Sequence, residues 1–417
     1  MNFYEKTTLD NGIRVLTQET NSTKSFTLGI WVNVGSRDES ISTNGLSHFI
    51  EHSVFKGTKN YTALEISKSL ERLGGYLNAF TTKEHTCFYA KALDSHFEKA
   101  FEILSELVTQ PSFPKKEIDK EKLVILEEIL SIEETPDDII FDLIEKELFK
   151  NHPLSFPITG NKDNLISFSP ELVKNFIREN YTADKIVVTV AGPIKHKNVV
   201  KLAERFLGKI NSNHSNQTRK RPSIKNTNGE KIITKDIALA HVCIARKTFG
   251  IKDPRRNLLG LIATLLGGMS SSRLFLRLRE DKGLVYTIYS ILNYYNDASV
   301  FGVYFSTNPE KQNLAIDLVK KEFQKLAKGK LINEEFDRVK NFVKGQISMS
   351  LEDTSSKIQN LAQGEFYFGR VKSLNEIFQE IDKLTKDQFL ELAEEILDLN
   401  EFFTYKIIPK KAECDVR

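Results

Sequence analysis

Apolar and polar positions change period along the chain in an order that occurs twice. Thr27 to Val34 reads as a strand, followed by a short helix carrying His48 and His52 and a second helix from Ala63 to Leu73. Gly74-Gly75 then opens an extended stretch, Tyr76 to Leu93, rich in Thr, Phe and Tyr. Helical periodicity returns from about Ser95 to Val108 and from about Lys115 to Glu133. The second half follows the same course. Val242 to Lys247 reads as a strand and Asn257 to Arg279 as helical, while Val285 to Ser306 is β-rich with alternating aromatics. Helices follow from about Lys311 to Ala327 and from Glu334 to Leu351.

The closing helices of the two halves superpose at one register. Ile118-Asp119 falls on Phe336-Asp337 and Ile129 on Ile347, which sets Glu121 on Val339 and Glu128 on Gln346. Between the halves, residues 211–230 are rich in Asn, Ser, Thr, Lys and Arg and lack apolar periodicity, so they read as a linker. The expectation is an α+β protein of two duplicated domains, 1–210 and 231–417, each a mostly antiparallel sheet packed with helices.

Composition narrows the class. At 417 residues the chain is long enough for two cores, and its formal net charge of +3 argues against a nucleic-acid or membrane partner. Basic residues are scattered except in Arg219-Lys220-Arg221, which reads as solvated linker. Cys87, Cys243 and Cys414 are far apart, without metal-ligand spacing, and read as reduced thiols. The N-terminal residues run into a strand-like stretch without the apolar core of a signal peptide. The longest uncharged apolar stretch, Asn257 to Met269, is too short to span a bilayer. A soluble, cytoplasmic protein is expected.

The chemistry concentrates in His48-Phe49-Ile50-Glu51-His52. Histidines four apart on a helix point the same way and can reach one metal ion. Glu51 sits beside them, as a base for a metal-activated water would. The order His-x-x-Glu-His is the inverted form of a zinc protease signature. The rival reading is a surface helix with solvated histidines. Phe49, Ile50, Val54 and Phe55 argue against it, because an apolar face would bury the helix and its polar groups would then need a partner. A third ligand must come from elsewhere. Glu121 and Glu128, seven apart, share a helix face, so one can ligate while the other orients a ligand or water. Glu127 competes, and periodicity alone does not exclude it.

With these residues the chain resembles the inverted-zincin metallopeptidases of the pitrilysin family, in particular the branch of mitochondrial processing peptidase and its bacterial relatives. In that family a glutamate follows the second histidine at a spacing that here lands on Glu128, with a further glutamate seven before it at Glu121. The likeness extends to Gly74-Gly75-Tyr76-Leu77-Asn78-Ala79-Phe80-Thr81 and to the segment from Ser271 to Tyr286. It departs at Ala183 and Lys185, where proline and asparagine are usual, and at Ser155, where glycine is usual.

The resemblance implies a zinc endopeptidase acting on unfolded or short polypeptides inside a closed chamber. His48, His52 and Glu128 would hold Zn2+, Glu51 would be the general base and Glu121 would support a ligand. Asn78, Ala79 and Phe80 would bind the substrate as an added strand. Arg279 and Tyr286 would contact the substrate carbonyl and stabilise the oxyanion. Family chambers are built from four such domains, so a homodimer is implied, with Arg279 and Tyr286 serving the opposite subunit. The alternatives are a non-catalytic assembly subunit, or the catalytic half of a heterodimer with a metal-free partner.

Overall fold

The computed structural model describes residues 3–212 and 218–410; Cys414 lies outside them. It divides into two compact units, each built on one sheet.

The sheet of the first unit comprises β1 (Glu5–Thr8), β2 (Arg14–Glu19), β3 (Ser25–Val32), β4 (Tyr76–Thr81), β5 (Thr86–Leu93) and β6 (Ile186–Gly192), in the order β1-β2-β6-β3-β5-β4. All neighbours are antiparallel except β2 and β6. The second sheet comprises β7 (Gly229–Lys235), β8 (Ala240–Thr248), β9 (Val285–Tyr294), β10 (Ser299–Thr307) and β11 (Phe403–Pro409), in the order β7-β11-β8-β10-β9. Here β7 and β11 are the parallel pair. If β1 is set aside, the two orders are the same permutation of five strands, with the parallel pair in the same place. Hairpin β4–β5 thus corresponds to β9–β10, and β4 and β9 are both edge strands.

Successive side chains of a strand face opposite ways, so each sheet has two faces to cover. In the first unit Phe26, Leu28 and Ile30 of β3 join a core that includes Phe101, Leu104 and Val199 of the helices Phe97–Thr109 and His196–Leu207. Trp31 of β3 joins the opposite core, with Leu16, Val187 and the Ile358, Leu361 and Ala362 stripe of helix Thr354–Phe368. In the second unit Val242 and Ile244 of β8 pack with helices Arg256–Gly267 and Gln312–Ala327. Cys243 and Ala245 instead meet Ile140 and Ile144 of helix Pro136–Leu148.

These covering helices make both units discontinuous. Residues 131–155 group with the second unit and 348–373 with the first, whereas the sequence reading cuts the chain once, between 210 and 231. The linker reading also needs correction at Arg219. It is a half-buried side chain of the first unit, with Nε and Nη2 donating to the two Asp38 carboxylate oxygens at 2.8 and 2.7 Å. Burial lowers its pKa, but Asp38 and Glu84 outweigh that and raise it. The helical stretch expected from Asn257 to Arg279 is two pieces, Arg256–Gly267 and a π-helical turn, Phe275–Glu280. Gly267 allows the first to lie against β9, since a Cβ there would come within 2.5 Å of the Ser290 backbone nitrogen.

Candidate metal centre

The helix carrying the histidines, Leu46–Ser53, is held at its N-terminal end. Its N-cap, Gly45, has φ of 98°, and a Cβ there would meet Gly160 Cα at 2.7 Å, so the site needs glycine on both counts. The buried Glu39 carboxylate accepts from Gly45 N at 2.8 Å, Ser47 N at 2.6 Å and Asn44 Nδ2 at 3.1 Å. Burial pushes its carboxyl up to about 7 against these lowering hydrogen bonds. Leu46, Phe49 and Ile50 are fully buried, and the Phe49 ring lies 5.4 Å from that of Phe168. This packing fixes the helix about its axis and turns His48, Glu51 and His52 to the remaining side.

The second contributor is helix Lys115–Glu134, anchored by buried Ile118, Ile125 and Ile129. Glu121 is buried on the same face and Glu128 is half-buried, whereas Glu127 is exposed. One ligand atom each from His48, His52 and Glu128 lie within 4.8 Å of one another. His48 Nε2 is 3.6 Å from Glu128 Oε1, and His52 Nε2 is 3.5 Å from Glu128 Oε2. Bonds of about 2.0–2.1 Å around a tetrahedral ion set donor atoms about 3.3–3.4 Å apart, close to what is found. His52 Nδ1 lies 2.8 Å from Glu121 Oε1. With Nδ1–H donating there, Nε2 keeps its lone pair toward Glu128 and His48, which is the tautomer a metal ligand needs. These residues fit a divalent ion.

Charge at the site follows the same geometry. Burial, and then the neighbouring His52, hold His48 down to about 3. Burial also opposes charging of His52, but its hydrogen bond to Glu121 and the carboxylates of Glu51, Glu128 and Glu121 raise it. Burial pushes the Glu51 carboxyl up, Thr81 and His52 pull it back, and Glu128 adds to the rise. Glu51 Oε2 is buried without a hydrogen-bond partner, an arrangement that suits a group awaiting a proton.

Asn78, Ala79 and Phe80 lie on edge strand β4 opposite Tyr89, Phe88 and Cys87 of β5, and the Phe80 ring packs edge-on to Trp31 at 5.5 Å. The Ala79 N–H donates to the Asn78 side chain at 2.8 Å, so it does not serve the β4–β5 ladder and faces the open edge. Arg279 and Tyr286 belong to the second unit and are brought together there. The guanidinium lies 4.9 Å from the Phe275 ring centre and 5.6 Å from that of Tyr286, a residue 76% exposed. Sequence reasoning missed two neighbours of the centre, Glu39 and Lys56. An acid a few residues before a helix start is a recognisable capping signal for Glu39. Lys56 meets its partner, Glu121, only in the fold.

Comparison with known proteins agrees with this layout. Residues 14–162 match the family model for insulinase (peptidase family M16), and residues 167–343 match that for the peptidase M16 inactive domain. The chain is 34% identical to the uncharacterized zinc protease YmxG of Bacillus subtilis, over 93% of this chain and 94% of that protein. It is 31% identical to an uncharacterized zinc protease of Streptomyces coelicolor, over 94% and 87%. Among solved structures, a protease from Helicobacter pylori has a TM-score of 0.90 at 24% identity, covering 97% of this chain and 99% of that one. A peptidase M16 inactive domain from Pseudomonas fluorescens has a TM-score of 0.91 at 18% identity, covering 98% of each. At these identities the two structures speak for the fold, and the curated relatives for descent. The chain belongs to peptidase family M16, the pitrilysin-type metallopeptidases.

Proposed function

We infer that the protein is a zinc-dependent endopeptidase that cleaves unfolded or short polypeptides. The observation carrying this reading is the convergence of His48, His52 and Glu128 on one point, beside half-buried Glu51, whose Oε2 is buried without a hydrogen-bond partner. Zinc, when bound, supplies the Lewis acidity that makes a water nucleophilic near neutral pH. Glu51 takes the proton from the attacking water and returns it to the leaving amine. Edge strand β4 offers outward backbone groups, including the Ala79 N–H, to an extended peptide. Arg279 and Tyr286 carry a cation and a phenol suited to an oxyanion. A homodimer would complete the chamber by lending that pair to the partner subunit's metal centre. Among the described residues no helix is long and apolar enough to cross a membrane.

The test is hydrolysis of a quenched fluorescent, unstructured peptide by the wild type and by Glu51→Gln, with bound zinc quantified in both. Cleavage by the wild type and loss of at least about a hundredfold in Glu51→Gln at unchanged zinc content is expected for a lost general base. If both retain zinc and neither cleaves, the chain is an assembly subunit or needs a partner, and the reading fails.

A further inference from the structure

The Glu121 carboxylate is held at two points. Oε1 meets His52 Nδ1 at 2.8 Å, and Oε2 meets Lys56 Nζ at 2.6 Å. Lys56 closes the 3-10 turn Val54–Lys56 directly after the histidine helix, one helical turn beyond His52. Its direction is set by Gly57, whose φ of 144° swings the chain away and is closed to ordinary side chains. Glu121 comes from the other helix and is almost fully buried, while Lys56 is about a third exposed. A buried carboxylate with one oxygen bonded to a histidine and the other free could rotate about its last torsion and release the imidazole. With both oxygens engaged, its plane is fixed, and so is the direction in which His52 Nε2 points. Glu117, also close to Lys56, is about a third exposed and already paired with Lys120 at 2.8 Å. It does not compete for the same role.

We propose that Lys56 is a positioning residue of the metal centre, acting through the chain Lys56–Glu121–His52 to keep His52 Nε2 aimed at the ion. This rests on the reading of His48, His52 and Glu128 as ligands. Lys56 makes no contact with the ion or the substrate in this scheme. Its contribution is to metal affinity and retention.

A double-mutant cycle tests it on the full chain, with zinc affinity of the stripped protein measured by competition against a chromophoric chelator. Glu121→Gln is expected to weaken zinc binding by about 10- to 100-fold, as loss of a group that orients a ligand does. Lys56→Met should weaken it about tenfold. Lys56→Arg should stay near wild type, since a guanidinium can hold the same oxygen. In the double variant Lys56→Met should add nothing to the Glu121→Gln loss, because the two act in series. Melting of the stripped Lys56→Met protein should match wild type, which separates positioning from a purely structural role. A Lys56→Met affinity within about twofold of wild type, or losses that multiply in the double variant, overturns the proposal. A wild type that takes up no zinc overturns the metal reading beneath it, a separate and distinguishable failure.

Discussion

At the residue scale, side chains fall into those whose partners lie within a helical turn and those whose partners lie far along the chain. His48 and His52 were legible because spacing on a helix puts them side by side, and their ring centres are 4.6 Å apart. Arg219, Lys56 and His85 were not, because the groups that give them meaning arrive only with the fold. Arg219 reads as solvated in sequence and is half-buried, paired with Asp38. His85, on the β4–β5 turn, lies stacked 4.6 Å from Phe366, with Tyr367 edge-on at 5.4 Å, although these residues are far apart in sequence. His85 Nε2 is buried without a hydrogen-bond partner. Burial, and then Arg219, lower its pKa to about 3, well below the 6.5 of an exposed imidazole. A base whose folded pKa is depressed takes up its proton in the unfolded chain first. The stability this neutral histidine contributes is therefore whole above pH 6.5 and is lost as pH falls from there toward 3. The slope approaches about 1.4 kcal/mol per pH unit for one proton. Urea melts of wild type and His85→Gln between pH 7 and pH 4 should differ in slope by close to one proton, the variant being the flatter. Parallel curves would mean that the acid sensitivity resides elsewhere.

Whole elements were read more securely than their ends or their partners. The two helices placed in one register by sequence begin at equivalent positions in it, Lys115 and Asn333, and both Ile118 and Phe336 are buried. The extended stretch from Tyr76 to Leu93 folds as a hairpin, because residues 82–85 turn back. Period alone does not reveal such a reversal when the turn lacks glycine and proline. Helices Pro136–Leu148 and Thr354–Phe368 escaped the pattern altogether. Even a clear apolar stripe would not say which sheet it covers, so the discontinuity of the units was not legible. Strand β4 carries an element-scale prediction. Its Ala79 N–H is free of the β4–β5 ladder, so proline there removes an outward donor without breaking the sheet. Ala79→Pro should retain zinc and fold, and should lower kcat/KM on an extended peptide by about tenfold, the worth of one backbone hydrogen bond. Undiminished cleavage would mean that substrate does not add to this edge.

At the scale of the whole molecule, the two sheets share one five-strand permutation, yet among the described residues a candidate metal cluster forms in only one of them. Where the first copy has Glu121 and Glu128, the second has buried Val339 and exposed Gln346. A duplicated scaffold retains its fold through apolar positions such as Ile118 and Phe336 and can lose ligands without losing its core. That freedom lets the second copy carry other chemistry, and Arg279 with exposed Tyr286 of edge strand β9 is its candidate. If this pair serves the partner subunit's metal centre, two inactive variants should rescue each other. Glu51→Gln keeps its Arg279–Tyr286 pair, and an Arg279→Ala, Tyr286→Phe double variant keeps its Glu51. Each alone should be inert or nearly so on the fluorescent peptide. Mixed, with time for subunit exchange, they form heterodimers in which an intact metal centre from one subunit meets an intact pair from the other, so cleavage should reappear. A pair acting within its own subunit gives no such site in any combination, and the mixture should stay as inactive as its components. Light scattering on the same samples separates the remaining possibility. A chain that is monomeric and fully active cannot depend on a partner's Arg279 and Tyr286.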